Sequence, residues 1–233
     1  MSAYYLNNLQ QRVISVFLRH PDTSSVDITV EAYIRAVIRD WGFTSTIAYT
    51  IHGDGTVVIS HNVRPGGYQP TILPQIGLDV QLPSDFGAVN WFGCGPDESY
   101  ADKRNSKKLG LHSRTPDSLF TSYEYPQENG NRAGTRWLQL TNSQGVGFVV
   151  TRVDEAAKTG DEFDFAALHY TAEDITNAAH PTDLKKREDV FLRLDAAHAG
   201  LGTARCGPAT LKKYQVPCKE TSFAFSFTPQ VPL

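Results

Sequence analysis

The amino-acid sequence predicts an all-β fold, a large antiparallel sandwich with one short helix. About a dozen segments alternate apolar and polar residues with the period of two that is typical of strands. The sequence lacks the repeated helical patterns that connect parallel strands. A length of 233 residues and a mass of 25.8 kDa fit one large all-β domain or two small domains. No low-complexity linker divides the chain, so we predict a single domain over residues 1–233.

The predicted strands follow one another along the whole chain. The pair Asp54-Gly55 predicts a tight hairpin turn into the strand that follows it. Pro74 predicts an irregular start or an edge position for the strand over residues 72–82, because proline cannot donate a backbone hydrogen bond. The other predicted strands cover residues 12–18, 26–38, 44–51, 56–63, 88–93, 135–142, 145–153, 162–168, 189–197 and 222–227.

One segment, TAEDITNAAH over residues 171–180, predicts a short helix. Thr171 is a suitable N-terminal cap, and Asp174 stands three residues later in the position that completes a capping box. Pro181 predicts the end of the helix.

Composition narrows the classes of function. A net charge of -3 and a pI near 6.1 argue against nucleic-acid binding, which requires a basic surface. No apolar stretch of about 18 residues occurs, so a membrane span is not predicted, and the N-terminal residues MSAYYLNNLQQRV lack an apolar core of signal-peptide length. The odd count of three cysteines suggests free thiols, a reducing compartment and hence a cytoplasmic location.

Cysteine and histidine spacing does not predict a metal site, because neither CxxC nor HExxH occurs. Cys206 and His198 are conceivable as a nucleophile pair, but the sequence offers no third group to orient the histidine.

Two stretches in the middle of the chain, residues 91–104 and 125–137, mix aromatic residues, carboxylates, amides and arginines. Such mixtures bind sugars, because aromatic faces cover C–H patches while carboxylates and amides bind hydroxyls. In the structural alternative, Arg104, Arg132 and Arg136 pair with the carboxylates and hold long loops on the sheet. The residues that are either sugar-binding or structural are Trp91, Glu98, Tyr100, Glu128, Asn129 and Arg132.

Four ordered motifs carry a resemblance to a known family. They are WFGCGPDESYADKR, YPQENGNRAGTRW, FDFAALHYTAEDITNAAHPTDL and LDAAHAGLGTARCGPATLKKYQV. Together they resemble the C-terminal domain, or small chain, of family-two glycoside hydrolase β-galactosidases, from about Leu9 to about Phe227. The resemblance implies a β-supersandwich like that of the galactose-mutarotase-like proteins.

The resemblance also implies a role for the segment GLGTARCGP, residues 200–208. In the family, a loop at this place lines the aglycone side of the active-site pocket. The residues that would contact the substrate are Gly202, Thr203, Ala204, Arg205 and Cys206. One branch of the family has a tryptophan where this chain has Cys206, so sugar stacking worth about 0.5–1.5 kcal/mol would be lost.

The family's catalytic glutamates and its magnesium and sodium ligands lie on a (β/α)-barrel that this sequence does not contain. We therefore expect no catalytic residue and no cofactor in this chain, and a barrel domain or large subunit as its partner. The resemblance implies hydrolysis of terminal β-D-galactosides such as lactose by the assembled enzyme. It also implies that the family's domain begins before Met1, so the chain is expected to be N-terminally truncated.

In two alternative functions the chain acts without a barrel domain. The first is a stand-alone carbohydrate-binding module that uses the stretches around Trp91 and Glu128. The second is a mutarotase-like epimerase, whose chemistry requires an acid and a base in one pocket, with His112 and Glu128 as the pair.

Overall fold

The computed structural model describes residues 4–153, 161–202 and 207–232, and these form two compact units. The first unit comprises residues 4–73, 151–153 and 217–229. The second comprises residues 74–150, 161–202, 207–216 and 230–232. No helix among these residues is long and apolar enough to cross a membrane.

Within the described residues the chain forms fifteen strands and two short α-helices. The strands are β1 (Leu9–Asp22), β2 (Ser25–Ala36), β3 (Trp41–His52), β4 (Val57–Gly67), β5 (Ile72–Leu73), β6 (Gln75–Leu82), β7 (Ala88–Gly95), β8 (Lys108–Arg114), β9 (Arg132–Thr135), β10 (Trp137–Thr141), β11 (Gly147–Arg152), β12 (Phe163–Leu168), β13 (Val190–His198), β14 (Val216–Pro217) and β15 (Thr221–Gln230). The helices are α1 (Pro116–Leu119) and α2 (Ala172–Asn177). The prediction of an all-β, antiparallel fold is confirmed.

In the first unit, five strands pair in the order β1-β2-β3-β4-β15, each antiparallel to its neighbour. The predicted hairpin turn at Asp54-Gly55 is present, and Asp54 Oδ1 accepts a 2.8 Å hydrogen bond from the Thr56 N–H. The buried apolar side chains of the unit include Trp41, Phe43 and Phe223.

Strand β1 differs from the other strands of the first unit because its apolar side chains are exposed. Five of them are between 52% and 64% exposed, namely Val13, Ile14, Val16, Phe17 and Leu18. Among the described strands, β1 pairs with β2 alone. The strand therefore exposes apolar side chains on both of its faces beside an unpaired backbone edge.

The second unit is a sandwich of two antiparallel sheets. One has the order β11-β10-β7-β8, and the other has the order β6-β13-β12-β9. The two sheets meet where the Trp91 ring of β7 contacts the Phe165 ring of β12 edge to face, with centroids 5.5 Å apart. Leu138, Leu192 and Leu194 complete the buried layer between them.

Pro74 separates β5 from β6, and β6 is an edge strand of its sheet, as the position of the proline predicts. Helix α2 begins where predicted. The Thr171 side chain accepts a hydrogen bond from the Asp174 N–H (3.1 Å), and Asp174 Oδ2 accepts one from the Thr171 N–H (2.9 Å).

The prediction of a single helix needs correction, because α1 was missed. Thr115 caps α1 through a second capping box with Ser118, and Pro116 occupies the first turn. A helix of four residues is too short to show a 3.6-residue period, so only its capping residues could have indicated it.

Candidate functional site

The sheet β6-β13-β12-β9 has one apolar face in the core and one polar face. Cross-strand partners point to the same side of a sheet, so the pairing of Arg193 with Asp79 places both on the polar face. Asp195 and Asp164 are likewise partners on β13 and β12. The strand period alone thus collects one guanidinium and three carboxylates on one surface.

A β-bulge adds a histidine to this face. The register of β13 against β6 shifts between Asp195 and Ala197, so that His198 pairs with Gln75. Without the extra residue, the alternation would turn His198 to the opposite face. The bulge instead brings His198 Nε2 to within 3.8 Å of Glu128 Oε1.

Glu128 is the central acceptor of the polar face. Arg193 Nη1 and Nη2 donate to its two oxygens at 3.0 and 2.5 Å, which is the bidentate geometry that arginine favours. The Tyr100 hydroxyl donates a longer bond of 3.3 Å. Burial raises the pKa of Glu128, but His198 and Arg193 outweigh it and lower the pKa to about 2. Glu128 is therefore an ionised, fixed carboxylate.

Asp195 lies deeper in the same cluster and is 1% exposed. Its Oδ2 is 3.0 Å from Arg193 Nε, without the alignment of a hydrogen bond. Burial raises the pKa of Asp195 to about 7, although Arg193 and His198 oppose the shift. Arg193 is thus shared between two carboxylates, of which Glu128 has the better geometry.

Glu98 forms a separate cluster that holds a loop. It is 5% exposed and accepts hydrogen bonds from Lys103 Nζ (2.6 Å), the Tyr123 hydroxyl and the Gly130 N–H (3.1 Å). Burial alone would raise the pKa of Glu98, but these donors lower it. The three donors bind Glu98 to the chain between Lys103 and Gly130.

The other residues named from the two polar stretches lie in the interior. Trp91 and Tyr100 are 0% exposed, so neither ring face is open to a sugar in this structure. Arg132, 2% exposed, donates to the carbonyl oxygens of Pro96, Leu119 and Gly130, and not to a carboxylate as the structural alternative expects. Burial lowers the pKa of Arg132 to about 10.

Asn129, 2% exposed, also holds the loop. Its Oδ1 accepts from the Thr121 N–H at 3.1 Å, and its Nδ2 donates to the Gln127 carbonyl at 2.9 Å. Its contacts are therefore with the backbone of its own loop.

The expected pairing of His112 with Glu128 needs correction. The His112 ring lies against Trp91, with centroids 5.1 Å apart, and its Nε2 is 3.3 Å from the Lys108 carbonyl. The histidine beside Glu128 is His198. Sequence reasoning missed both His198 and Arg193 as partners of Glu128, because neither is near it in the chain and the bulge changes the strand period.

The described part of the segment 200–208 is held at its start by Asp102. Its carboxylate accepts hydrogen bonds from the N–H groups of Leu201 (3.1 Å) and Gly202 (2.7 Å). Gly202 has a φ of +62°, which a side chain would strain. On the other side of the loop, Thr210 Oγ1 donates to the Gly200 carbonyl at 3.0 Å. Thr203, Ala204, Arg205 and Cys206 lie outside the described residues.

Among the described residues, no group of three or more histidines, cysteines or carboxylates has the arrangement of a metal site.

Comparison with known proteins gives one family over nearly the whole chain. The family described as "Beta galactosidase small chain" matches residues 3–228. The chain is 30% identical over 226 residues to a Kluyveromyces lactis β-galactosidase, which covers 95% of this chain and 21% of that protein. It is 32% identical to a Vibrio vulnificus β-galactosidase over 184 residues, which are 78% of this chain and 16% of that protein. The chain thus spans about a fifth or less of these relatives.

A solved structure of a galactose mutarotase related enzyme from Lactobacillus acidophilus is 12% identical. The match covers 94% of this chain and 74% of that one, with a TM-score of 0.26. A likeness of that size supports no argument about site or activity.

Proposed function

The chain belongs to the β-galactosidase small-chain family, and from this membership we propose that it acts as the C-terminal domain or small subunit of a β-galactosidase. In this role it packs on a catalytic barrel, and its loop over residues 200–208 lines the aglycone side of the pocket. The assembled enzyme hydrolyses terminal β-D-galactosides such as lactose.

The observation that carries the proposal is the family match over residues 3–228, and the construction of the loop base supports the role of the loop. Two consecutive N–H groups, of Leu201 and Gly202, bind one carboxylate, that of Asp102. The Gly200 N–H donates to the Tyr214 carbonyl at 2.8 Å, which ties the two ends of the loop together. The described start of the loop, Leu201 and Gly202, is therefore held in place before a ligand arrives, which supports a role for this loop in lining a pocket.

The exposed apolar side chains of β1 support the proposal that another domain or subunit packs on this chain. Five apolar side chains of one strand are exposed, whereas exposed apolar residues on a free protein surface are usually scattered singly. These relatives are nearly five times as long as this chain, so most of each relative is available to cover that surface. The barrel domain is the occupant that we propose.

The catalytic glutamates and the magnesium and sodium ligands belong, in this proposal, to the barrel. The small chain contributes packing and a pocket wall. A cytoplasmic location remains a prediction from the odd number of cysteines.

The test is hydrolysis of a chromogenic β-galactoside. The rate is measured for the pure chain, for a barrel-containing β-galactosidase fragment that lacks its small-chain region, and for the mixture. We expect turnover in the mixture alone, because the chain supplies a missing wall and not the reacting groups.

Two variants sharpen the test. Asp102→Asn should lower the activity of the mixture, whereas Asp117→Asn, which alters an exposed aspartate paired with Lys186, should leave it unchanged. Turnover by the pure chain, or a mixture no more active than the barrel fragment, would refute the proposal.

A further inference from the structure

A cavity of about 400 Å³ opens on the polar face of the sheet β6-β13-β12-β9. Asp79, Glu128 and Arg193 line it on the sheet side, together with Phe191 and Tyr170. We propose that this cavity binds one neutral hexopyranose. The site uses none of the residues of the 200–208 loop, and the inference goes beyond the proposed function without depending on it.

The size of the cavity fits one sugar ring. Its volume is at the lower end of the range of about 300–1,000 Å³ over which proteins bind small molecules. The small side chain of Ala166 leaves room for the ring, because Ala166 is the β12 partner of Arg193 and lies on the same face. A large side chain at residue 166 would fill the space beside the guanidinium.

The polar groups of the cavity are already fixed in place. Glu128 and Arg193 hold each other through two parallel hydrogen bonds, so neither must be ordered when a ligand arrives. Glu128 Oε2, which accepts one hydrogen bond from Arg193, can accept a second from a ligand hydroxyl. Asp79, at the edge of the sheet, adds a further acceptor opposite Arg193, and Gln75 adds an amide.

Charge selects a neutral ligand. Two carboxylates, Asp79 and Glu128, and one guanidinium, Arg193, line the cavity, which gives it a net charge of -1 when all three are ionised. Arg193 is neutralised by Glu128 and by Asp195 beneath it, at 2.5 and 3.0 Å. A sugar acid would therefore meet repulsion, whereas hydroxyl groups would meet acceptors.

Aromatic and aliphatic walls complete the site. Phe191 lies beside Arg193 in the cavity, and Tyr170 and Ile175 form the side next to α2. The Phe120 ring packs against the Tyr170 ring, with centroids 4.8 Å apart, and so restricts its position. Apolar walls with a few fixed polar groups are the usual composition of small-molecule sites, and a pyranose presents both C–H and O–H faces.

The test is a titration of the full ¹⁵N-labelled chain with D-galactose, followed by amide chemical shifts. We expect saturable shifts with a Kd of about 1–10 mM, centred on residues 79, 128, 166, 191 and 193. D-Galacturonate, titrated in parallel, should bind at least about tenfold more weakly because of the negative cavity.

Asp79→Asn should weaken galactose binding about tenfold, since it removes a charged acceptor while keeping the shape of the side chain. Its matched control is Asp117→Asn, outside the cavity, which should leave the Kd unchanged.

Ala166→Leu should abolish binding by filling the cavity. If Ala166→Leu does not fold, the Kd of the Asp79→Asn variant tests the proposal. Absence of saturable shifts, shifts centred on other residues, equal binding of galacturonate, or an unchanged Kd for Asp79→Asn would overturn the proposal.

Discussion

The carboxylate of Asp102 accepts a 2.7 Å hydrogen bond from the backbone N–H of Gly202, which is one hundred residues later in the chain. The same carboxylate accepts a bond from the neighbouring Leu201 N–H. One side chain from the first polar stretch therefore determines where the 200–208 loop begins.

We predict that Asp102→Asn speeds hydrogen exchange of the Leu201 and Gly202 amides by about tenfold, because the Asn amide nitrogen cannot accept a hydrogen bond. Hydrogen-exchange NMR measures this directly. Asp97→Asn is the control, since Asp97 is an exposed aspartate of the same polar stretch that pairs with Lys107 instead. Equal exchange in the wild type and in Asp102→Asn would show that the hydrogen bonds do not hold the loop.

A second prediction concerns the pair Glu128–Arg193. Glu128→Gln should lower the free energy of unfolding by about 2 kcal/mol, because it leaves the largely buried guanidinium without its bidentate partner. Urea unfolding followed by circular dichroism gives the value. Glu124→Gln, at an exposed position four residues earlier, should change it by less than about 0.5 kcal/mol. Equal effects of the two substitutions would contradict the importance of the pair.

The third prediction is a dependence of stability on pH that comes from His61. Its Nε2 is 2.8 Å from Ser45 Oγ, and its ring contacts Phe223. Burial lowers the pKa of His61 to about 4, below the value of 6.5 for a free histidine. The unfolded state therefore binds the proton more tightly, and His61 decreases stability as the pH falls from 6.5 towards 4.

The loss from His61 over this range should be about 2 kcal/mol. His61→Gln should flatten the pH dependence of the free energy of unfolding between pH 6.5 and 4, whereas His52→Gln, at an exposed position, should not. The measurement is urea unfolding at several pH values. A wild-type slope retained in His61→Gln would rule this histidine out as the source.

The fourth prediction tests close packing at the edge of the polar face. A Cβ atom on Gly77 would lie 2.0 Å from the Leu194 carbonyl oxygen, so Gly77→Ala must move β6 away from β13. We expect a loss of about 3 kcal/mol in the free energy of unfolding. Gly66→Ala is the control, because a Cβ there meets no atom within 4 Å. A fully stable Gly77→Ala variant would mean that the edge strand adjusts without cost.

Much of the fold could be predicted from strand periodicity, but not all of it. Segments such as 44–51 and 222–227 became β3 and β15 because their alternation reports burial. Strand β8 was missed, since its sequence KLGLHSR is largely exposed, so its apolar residues do not mark a buried face. Periodicity detects a strand only where one face is buried.

The site was less predictable than the fold. Glu128 was named from its stretch of sequence, but its partners come from β13, 65 residues further on in the case of Arg193. His198 reaches it only through the bulge after Asp195, which a regular alternation does not anticipate. Long-range pairing and a one-residue irregularity therefore determine the cluster, and neither leaves a local signal in the sequence.

The exposed surface of β1 has a consequence for the life of the chain in a cell. Hydrophobic side chains such as those of Phe17 and Leu18 are what chaperones and proteases recognise on incompletely assembled proteins. If the proposed barrel domain covers that strand, the uncovered chain should be degraded faster than the assembled one. The cellular amount of the chain would then follow the amount of the barrel domain. A pulse-chase comparison with and without a co-expressed barrel fragment would measure the half-life of the chain. Equal half-lives would show that exposure of the strand does not lead to degradation.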